Sequence, residues 1–158
     1  MALTTVDHSA LKVNQAGIIV TVLVAFFGSW ILAGNRLVLL LIPLLAVVLL
    51  LGTFAPRLAL FKQLYFRVLK PAGIVKPRPV QDRPEPHNFA QGLGGVFLAI
   101  SSVLVFLPVD ARTSVLTVGL GLAIALLVAA LAFVNLAFGY CLGCQIYFQL
   151  GKRGLIRA

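Results

Sequence analysis

Four long stretches without a charged residue (Asp, Glu, Lys or Arg) dominate the pattern of the chain. The stretches cover positions 13–35, 37–56, 86–109 and 113–151, and apolar residues make up most of each one. A helix needs about 20 predominantly apolar residues to cross the hydrocarbon core of a bilayer, and each stretch is long enough. The pattern therefore predicts four transmembrane helices, at Ala16–Ala33, Leu37–Ala55, Phe89–Leu107 and Ser114–Gly139.

Composition supports an integral membrane protein. Hydrophobic residues make up 61% of the chain and charged residues 11%, whereas a soluble domain carries about 25% charged residues. We predict an all-α fold of two helical hairpins that form a single domain over residues 1–158. The expected parts are a first half at about 12–70, a linker at 71–87 and a second half at about 88–152.

The two halves share a short motif after their second span. QLYF at 63–66 matches QIYF at 145–148, which is consistent with a two-helix unit repeated twice. A repeat of two helices keeps its orientation, so such halves would be related by an axis along the membrane normal.

The segment between Leu58 and Lys70 has the pattern of an amphipathic helix in the plane of the membrane surface. Four prolines and five charged residues follow between Lys76 and His87, so we expect an extended linker there. Asn88 is the predicted N-cap of the third span, with Gln91 completing a capping box. The apolar residues of the amphipathic segment are Leu58, Phe61, Leu64, Tyr65 and Val68.

Basic residues are concentrated on one side of the predicted membrane. Of 13 lysines and arginines, only Arg36 and Arg112 lie in the two short connections within the hairpins. Because basic residues near span ends are retained in the cytoplasm, both termini and the central connection are predicted to be cytoplasmic. The same residues predict contact with anionic lipids, at about 1 kcal/mol each. No nucleic-acid-binding module is visible, so the net charge of +9 does not indicate nucleic acid as a partner.

The predicted spans contain no acidic or basic residue. Pumps and proton-coupled transporters keep such groups within the membrane, so those classes are disfavoured. Asn135 is the most polar residue deep in the fourth span, and we expect it to form a hydrogen bond between helices. Small residues at Gly121, Ala125 and Ala129 indicate close packing within the bundle rather than a dimer interface.

The two cysteines, Cys141 and Cys144, form a Cys-x-x-Cys at the predicted end of the fourth span. Residues at i and i+3 share a helix face, so the sulfurs can meet if the helix continues past Gly139. A helix C-terminus disfavours thiolate, and the nearest basic residue in sequence is Lys152. On a straight helix Asn135 would point away from both sulfurs.

Other roles for the two cysteines stay open. They are small enough to serve only in packing, because free cysteine behaves as a small hydrophobic residue. Zinc needs four ligands, so Cys141 and Cys144 could bind it only if two chains each supplied a pair. Otherwise no cofactor is expected, and His87 is predicted to be a surface residue.

The sequences NFAQGLGGVF at 88–97 and NLAFGYCLGCQIY at 135–147 resemble a bacterial membrane family known as domain of unknown function 4395. The resemblance covers most of the chain and implies two helical hairpins in the bacterial cytoplasmic membrane. It also implies a thioredoxin-like or sulfurtransferase-like partner. Gln145 stands where the family usually has glutamate. The matching residues are Phe89, Ala90, Gln91, Asn135, Phe138, Gly139, Cys141, Leu142, Gly143, Cys144 and Tyr147.

These observations favour a thiol redox or sulfur-handling component of the membrane, with Cys141 and Cys144 as a redox pair at the cytoplasmic face. One alternative is a non-enzymatic accessory or assembly subunit, as a homodimer or in a larger complex. Another is a small channel or carrier for a neutral or sulfur-containing solute. The sequence leaves open whether the protein is an enzyme. The candidate binding residues are Gln91, Asn135, Gln145 and Tyr147.

Overall fold

The computed structural model describes residues 4–32, 36–107 and 111–154 and is almost entirely helical there. Two short strands pair with each other, and two short segments are not α-helical: a 3-10 turn at Pro56–Leu58 and a π-helical segment at Tyr65–Leu69. The elements in chain order are β1 (Thr4–Asp7), α1 (His8–Ile31), α2 (Arg36–Leu39), α3 (Leu41–Phe54), α4 (Leu60–Leu64), β2 (Pro79–Asp82), α5 (Pro84–Phe106), α6 (Ala111–Phe138) and α7 (Leu142–Lys152).

Four helical segments of the described chain are long and apolar enough to cross a membrane. They are His8–Ile31, Leu37–Phe54, Pro84–Phe106 and Ser114–Phe138, with mean hydropathies of 1.8, 3.0, 1.9 and 2.6. The all-α membrane fold with four transmembrane helices is therefore confirmed.

Two of these helices begin earlier than the sequence predicts. α1 begins at His8 because the Asp7 carboxylate accepts a hydrogen bond from the backbone N–H of Ser9, at 3.1 Å. α5 begins at Pro84, and proline is well suited to the first position of a helix. The prediction that Asn88 caps this helix is therefore wrong. Asn88 lies inside α5, and its side-chain oxygen accepts a hydrogen bond from Lys62 Nζ at 3.4 Å.

The small residues of α6 pack inside the bundle, as predicted. Ala125 and Ala129 are buried. A Cβ on Gly121 would lie 2.9 Å from the carbonyl oxygen of Ser101, so only glycine allows this approach of α6 to α5. The Ser101 hydroxyl donates to the Gly121 carbonyl across the same contact, at 2.6 Å. This polar contact joins the two helices inside an otherwise apolar core.

The N-terminus and the connection before α5 form a small antiparallel sheet that the sequence did not predict. β1 pairs with β2 in the register Thr4 to Asp82 and Asp7 to Pro79. Two thirds of the predicted extended linker at 76–87 therefore belongs to regular elements: 79–82 form β2, and 84–87 form the first turn of α5. The sheet holds the start of α1 beside the start of α5.

The predicted helix between Leu58 and Lys70 is present as α4 and the π-helical segment. Tyr65 is fully buried, and its hydroxyl donates to Asp7 Oδ2 at 2.9 Å. The ring of Phe61 occupies the space where Gly17 of α1 has no side chain. Leu58, Leu64 and Val68 are exposed, which leaves them to face the membrane surface.

The sheet, α4, the π-helical segment and α7 all lie at one end of the bundle, because each contacts the N-terminal cap or the first three turns of α1 or α5. We call this the basic end, since the segments that it contains carry most of the lysines and arginines. The candidate site lies there.

Candidate functional site

α6 does not continue into the Cys-x-x-Cys. It ends at Phe138, and Gly139 takes a backbone conformation with φ of 69°, in the left-handed region that favours glycine. The Gly139 N–H donates to the Asn135 carbonyl at 2.9 Å, which closes the last turn. The helix therefore does not continue past Gly139, which was the condition set for the sulfurs to share a helix face, and the chain restarts as α7 at Leu142.

Cys141 is the N-cap residue of α7. Its backbone is extended, and its sulfur accepts a hydrogen bond from the backbone N–H of Cys144 at 3.2 Å. The two residues form a disulfide, with α-carbons 5.2 Å apart. The expectation that a helix C-terminus would disfavour thiolate is reversed. Cys141 lies at a helix N-terminus, where the dipole and free N–H groups stabilise negative charge on sulfur.

His87 faces the disulfide rather than open solvent. Its Nδ1 lies 3.7 Å from the sulfur of Cys144, and its side chain is 20% exposed. Nε2 of the same ring lies 3.0 Å from Asp82 Oδ2. The prediction that His87 is an ordinary surface residue is therefore wrong, because it bridges a carboxylate and a sulfur.

Asp82 determines which nitrogen of His87 carries the proton. The hydrogen bond from His87 is the largest cause that holds the pKa of Asp82 below its ordinary value, against the opposing effect of burial. An ionised carboxylate only accepts hydrogen bonds, so His87 Nε2 donates to it. In the neutral ring, Nδ1 then has a free lone pair that faces Cys144. His8 Nε2 approaches the same carboxylate oxygen at 3.2 Å.

Two contacts place α7 and its cysteines against α5. A Cβ on Gly143 would lie 2.7 Å from the α-carbon of Ala90, so glycine is needed for this approach. Four residues further along α7, the ring of Tyr147 packs on the ring of Phe89, with centroids 5.5 Å apart. Tyr147 therefore helps to dock α7 on α5.

Two cavities meet at the disulfide. The outer cleft, of about 240 Å³, opens at the basic end and is lined by His8, Asp82, Gln145 and both cysteines. The inner cavity, of about 450 Å³, lies between α1, α5, α6 and α7 within the transmembrane part. Its wall is mainly apolar, with a few amide side chains. Cys141 and His87 line both the outer cleft and the inner cavity.

The inner cavity brings together residues that the sequence separated. Gln91 and Asn135 both line it together with Cys141. The expectation that Asn135 points away from the sulfurs assumed a straight helix through Cys144, and that helix ends at Phe138 instead. Gln91 is 9% exposed and donates to the Leu49 carbonyl at 3.1 Å. Gln145 lines the outer cleft instead.

Donor atoms of His87, Cys141 and Cys144 lie within 4.8 Å of one another, as do those of His8, Asp82 and His87. Both sulfurs become ligands only when the disulfide is reduced. One chain then offers three of the four ligands that zinc prefers, whereas the sequence had suggested two from each of two chains. Zinc binding between chains stays a prediction.

The fold and the site define a class: a multi-pass membrane protein of four helices with a Cys-x-x-Cys at the start of a short terminal helix. The chain belongs to the family described as Domain of unknown function (DUF4395), whose model matches residues 6–152. The resemblance seen in the sequence is thereby confirmed. Searches of curated proteins and of solved structures gave no significant match.

Proposed function

We propose that this protein is a thiol–disulfide exchange component of the bacterial cytoplasmic membrane, with the basic end on the cytoplasmic side. The observation that carries the proposal is the position of the Cys141–Cys144 pair. It lies at a helix N-terminus, with the His87–Asp82 pair beside its second sulfur. Neither feature is needed for cysteines that serve only in packing.

Each group has a separate task in the exchange. A thiolate of a reduced partner attacks the Cys141 sulfur from the outer cleft, a mixed disulfide forms, and the Cys141–Cys144 bond breaks. Cys144 leaves as a thiolate and takes a proton from His87 Nδ1 when that ring is protonated. A second partner thiol then attacks the mixed disulfide. Cys141 departs as a thiolate that the N-terminus of α7 stabilises, the partner's two thiols become a disulfide, and Cys141 and Cys144 are left as a dithiol.

The charge of the basic end indicates the kind of partner. Eleven of the 13 lysines and arginines lie in the segments assigned to this side. Complementary charge speeds the encounter of two proteins and aligns them. A soluble thioredoxin-like or sulfurtransferase-like protein with an acidic surface around its reactive cysteine fits this surface and the outer cleft.

Thiol trapping followed by mass spectrometry tests the proposal. In Cys144→Ser, Cys141 stays a free thiol that can attack the disulfide of an oxidised partner, in the reverse of this exchange. No Cys144 thiol is left to release that partner, so we expect a mixed disulfide with a soluble protein to accumulate. Cys141→Ser is the matched control and should trap far less, because the sulfur that bonds to the partner is gone. If neither variant traps a partner and the double Cys→Ala variant still copurifies with a membrane complex, the accessory-subunit alternative replaces the proposal.

A further inference from the structure

The disulfide separates a cleft that opens to water from a cavity inside the transmembrane part. We propose that the inner cavity binds a membrane-soluble quinone, which takes up the two electrons of the Cys141–Cys144 dithiol. This inference rests on the proposed thiol–disulfide exchange and adds the acceptor. Electrons would enter from a soluble thiol at the outer cleft and leave to a lipid-soluble carrier at the inner cavity.

The inner cavity has the size and the chemistry of a site for an apolar ligand. Its volume is about 450 Å³, and small-molecule sites usually measure about 300–1,000 Å³, with apolar walls and a few polar groups. Leucine, isoleucine, valine and alanine side chains together with Phe97 form most of the wall. A charged redox carrier would lose its hydration here without compensation, whereas a quinone ring with a hydrocarbon tail would not.

The polar groups of the cavity lie near the sulfurs. Asn14 and Gln15 are in the second turn of α1, Gln91 is in the second turn of α5, and Asn135 is in the last turn of α6. Amide N–H groups suit the two carbonyl oxygens of a quinone, and amide oxygens suit the hydroxyls of a quinol.

One of these groups is buried without a partner in the part of the chain that the structure describes. It is the side-chain oxygen Oε1 of Gln15. Buried polar atoms are normally paired, and an unpaired one calls for an explanation. Asn14 is 7% exposed and lines the same cavity. A bound quinol hydroxyl would give Gln15 the donor that it lacks.

The cavity extends to the lipid-facing side of the bundle. Phe97 of α5 and Leu127 and Leu131 of α6 line it, and these three are 37%, 52% and 37% exposed. Side chains exposed on transmembrane helices contact hydrocarbon in a bilayer. A quinone can therefore enter from the membrane and leave its tail between these side chains.

The redox step balances without any further reactant. The thiols of Cys141 and Cys144 lose two electrons and two protons, both S–H bonds break, and the S–S bond forms. The quinone gains the two electrons and two protons, and its two carbonyls become the hydroxyls of a quinol. His87 lines both cavities and lies 3.7 Å from the Cys144 sulfur. Its Nδ1 can therefore take the Cys144 proton and pass it on towards the quinone.

The test uses the reduced, full-length protein in lipid nanodiscs with two oxidants in separate reactions. Decylubiquinone probes the inner cavity, and oxidised glutathione probes exchange from the aqueous side. We expect decylubiquinone to oxidise the dithiol with one quinol formed per disulfide, because both are two-electron couples. Quinol is followed by its absorbance, and the cysteines by thiol alkylation.

Two glycine variants form a matched pair. A Cβ on Gly94 would be 3.7 Å from Val128 and 3.8 Å from Leu49, so Gly94→Leu adds a side chain within the cavity. Gly119 has no heavy atom within 4 Å of such a Cβ and does not line the cavity. We expect the ratio of quinone-driven to glutathione-driven oxidation to fall by about tenfold or more in Gly94→Leu, because the filled space excludes the ring. The ratio should not change in Gly119→Leu.

Asn135→Leu is a second variant in case Gly94→Leu does not fold, and it should raise the KM for decylubiquinone. The inference is overturned if oxidised glutathione oxidises the dithiol but decylubiquinone does not, or if the variants and Gly119→Leu give the same ratio. Either outcome leaves the proposed function standing. If neither oxidant acts on the dithiol, the proposed function fails as well.

Discussion

Gly139 decides where the sulfurs lie. Its left-handed backbone ends α6 at Phe138, so Cys141 becomes the N-cap residue of a new helix instead of lying near the C-terminus of an old one. The change reverses the local electrostatics. A sulfur that would have faced carbonyl oxygens at a helix C-terminus accepts a backbone N–H instead.

Gly139→Ala should lower the free energy of unfolding by about 1 kcal/mol, because a side chain is strained in the left-handed region. It should also slow thiol exchange, since a relaxed backbone moves Cys141 away from its cap position. Gly119→Ala is the control. It lies inside α6 with open space around it and should raise stability by about 0.5–1 kcal/mol. Chemical denaturation in detergent measures the free energy of unfolding of each variant. Equal changes in Gly139→Ala and Gly119→Ala would refute the prediction.

In the proposed exchange, His87 and Asp82 supply the acid–base chemistry of the site. Replacing His87 with glutamine should slow exchange with a soluble disulfide by about 100-fold, a typical contribution of a general acid or base. His8→Gln is the matched control, since His8 contacts the same carboxylate but no sulfur. A loss in His8→Gln as large as that in His87→Gln would show that the ring acts only through the packing of the site.

The pKa of Asp82 predicts how acid affects the site. Hydrogen bonding to His87 lowers this pKa in the folded protein, against burial, from an ordinary value of 3.8. Because the folded state binds this proton less readily, the stabilisation is fully present above the ordinary value and is lost as pH falls through the lowered pKa. The difference in unfolding midpoint between wild type and Asp82→Asn should be constant above about pH 5 and shrink below pH 4. A difference that grows on acidification would contradict the assignment.

At the scale of elements, α7 and the β1–β2 sheet assemble the site from distant parts of the chain. The sheet holds His8 and Asp82 together, and α7 docks on α5 through Gly143. The tyrosines of the two matching motifs, QLYF and QIYF, lie in different surroundings. Tyr65 is buried against Asp7, whereas Tyr147 packs on Phe89. A common origin of the two halves stays a prediction.

Gly143→Ala should separate α7 from α5, because its new methyl group would overlap Ala90. Overpacking of this kind costs about 1–3 kcal/mol, and we expect a loss of stability in that range together with slower thiol exchange. Hydrogen exchange of the α7 amides reports the undocking directly. Gly119→Ala again serves as the control, and unchanged protection of α7 in Gly143→Ala would show that the helix is held by other contacts.

At the scale of the whole molecule, the basic end combines charge, the outer cleft and the dithiol on one side of the bundle. The distribution of lysine and arginine predicts that this side is cytoplasmic. The opposite end carries exposed apolar residues such as Ile31, which is 79% exposed at the end of α1. Chemical labelling of a cysteine at each end therefore tells which end faces which side of the membrane.

A membrane-impermeant maleimide should label the reduced wild-type cysteines in inverted vesicles and not in spheroplasts. In a background without Cys141 and Cys144, Ile31→Cys should show the opposite pattern, because Ile31 lies at the other end of its helix. Labelling of the wild-type cysteines from the outer side would reverse the orientation and move the proposed partner to the periplasm.

Sequence patterns predicted the four spans because the signal is local. Each span needs only an uninterrupted run of apolar residues, and the run itself meets the requirement of the bilayer. The same holds for the amphipathic segment around Tyr65 and for the Cys-x-x-Cys, whose spacing lets the sulfurs meet in any helix. The predicted starts of α1 and α5 are several residues too late. The cap at Asp7 and the proline at Pro84 start these helices in polar sequence that precedes the apolar runs.

Sequence alone determined the class of fold, the concentration of positive charge at one end and the presence of a dithiol there. Only the tertiary structure decided what surrounds the dithiol. His87 reaches Cys144 across 57 positions of sequence, and His8 reaches Asp82 across 74. Such contacts have no periodicity to reveal them. They depend on one glycine that breaks α6, on the pairing of β1 with β2, and on the close approach of α7 to α5.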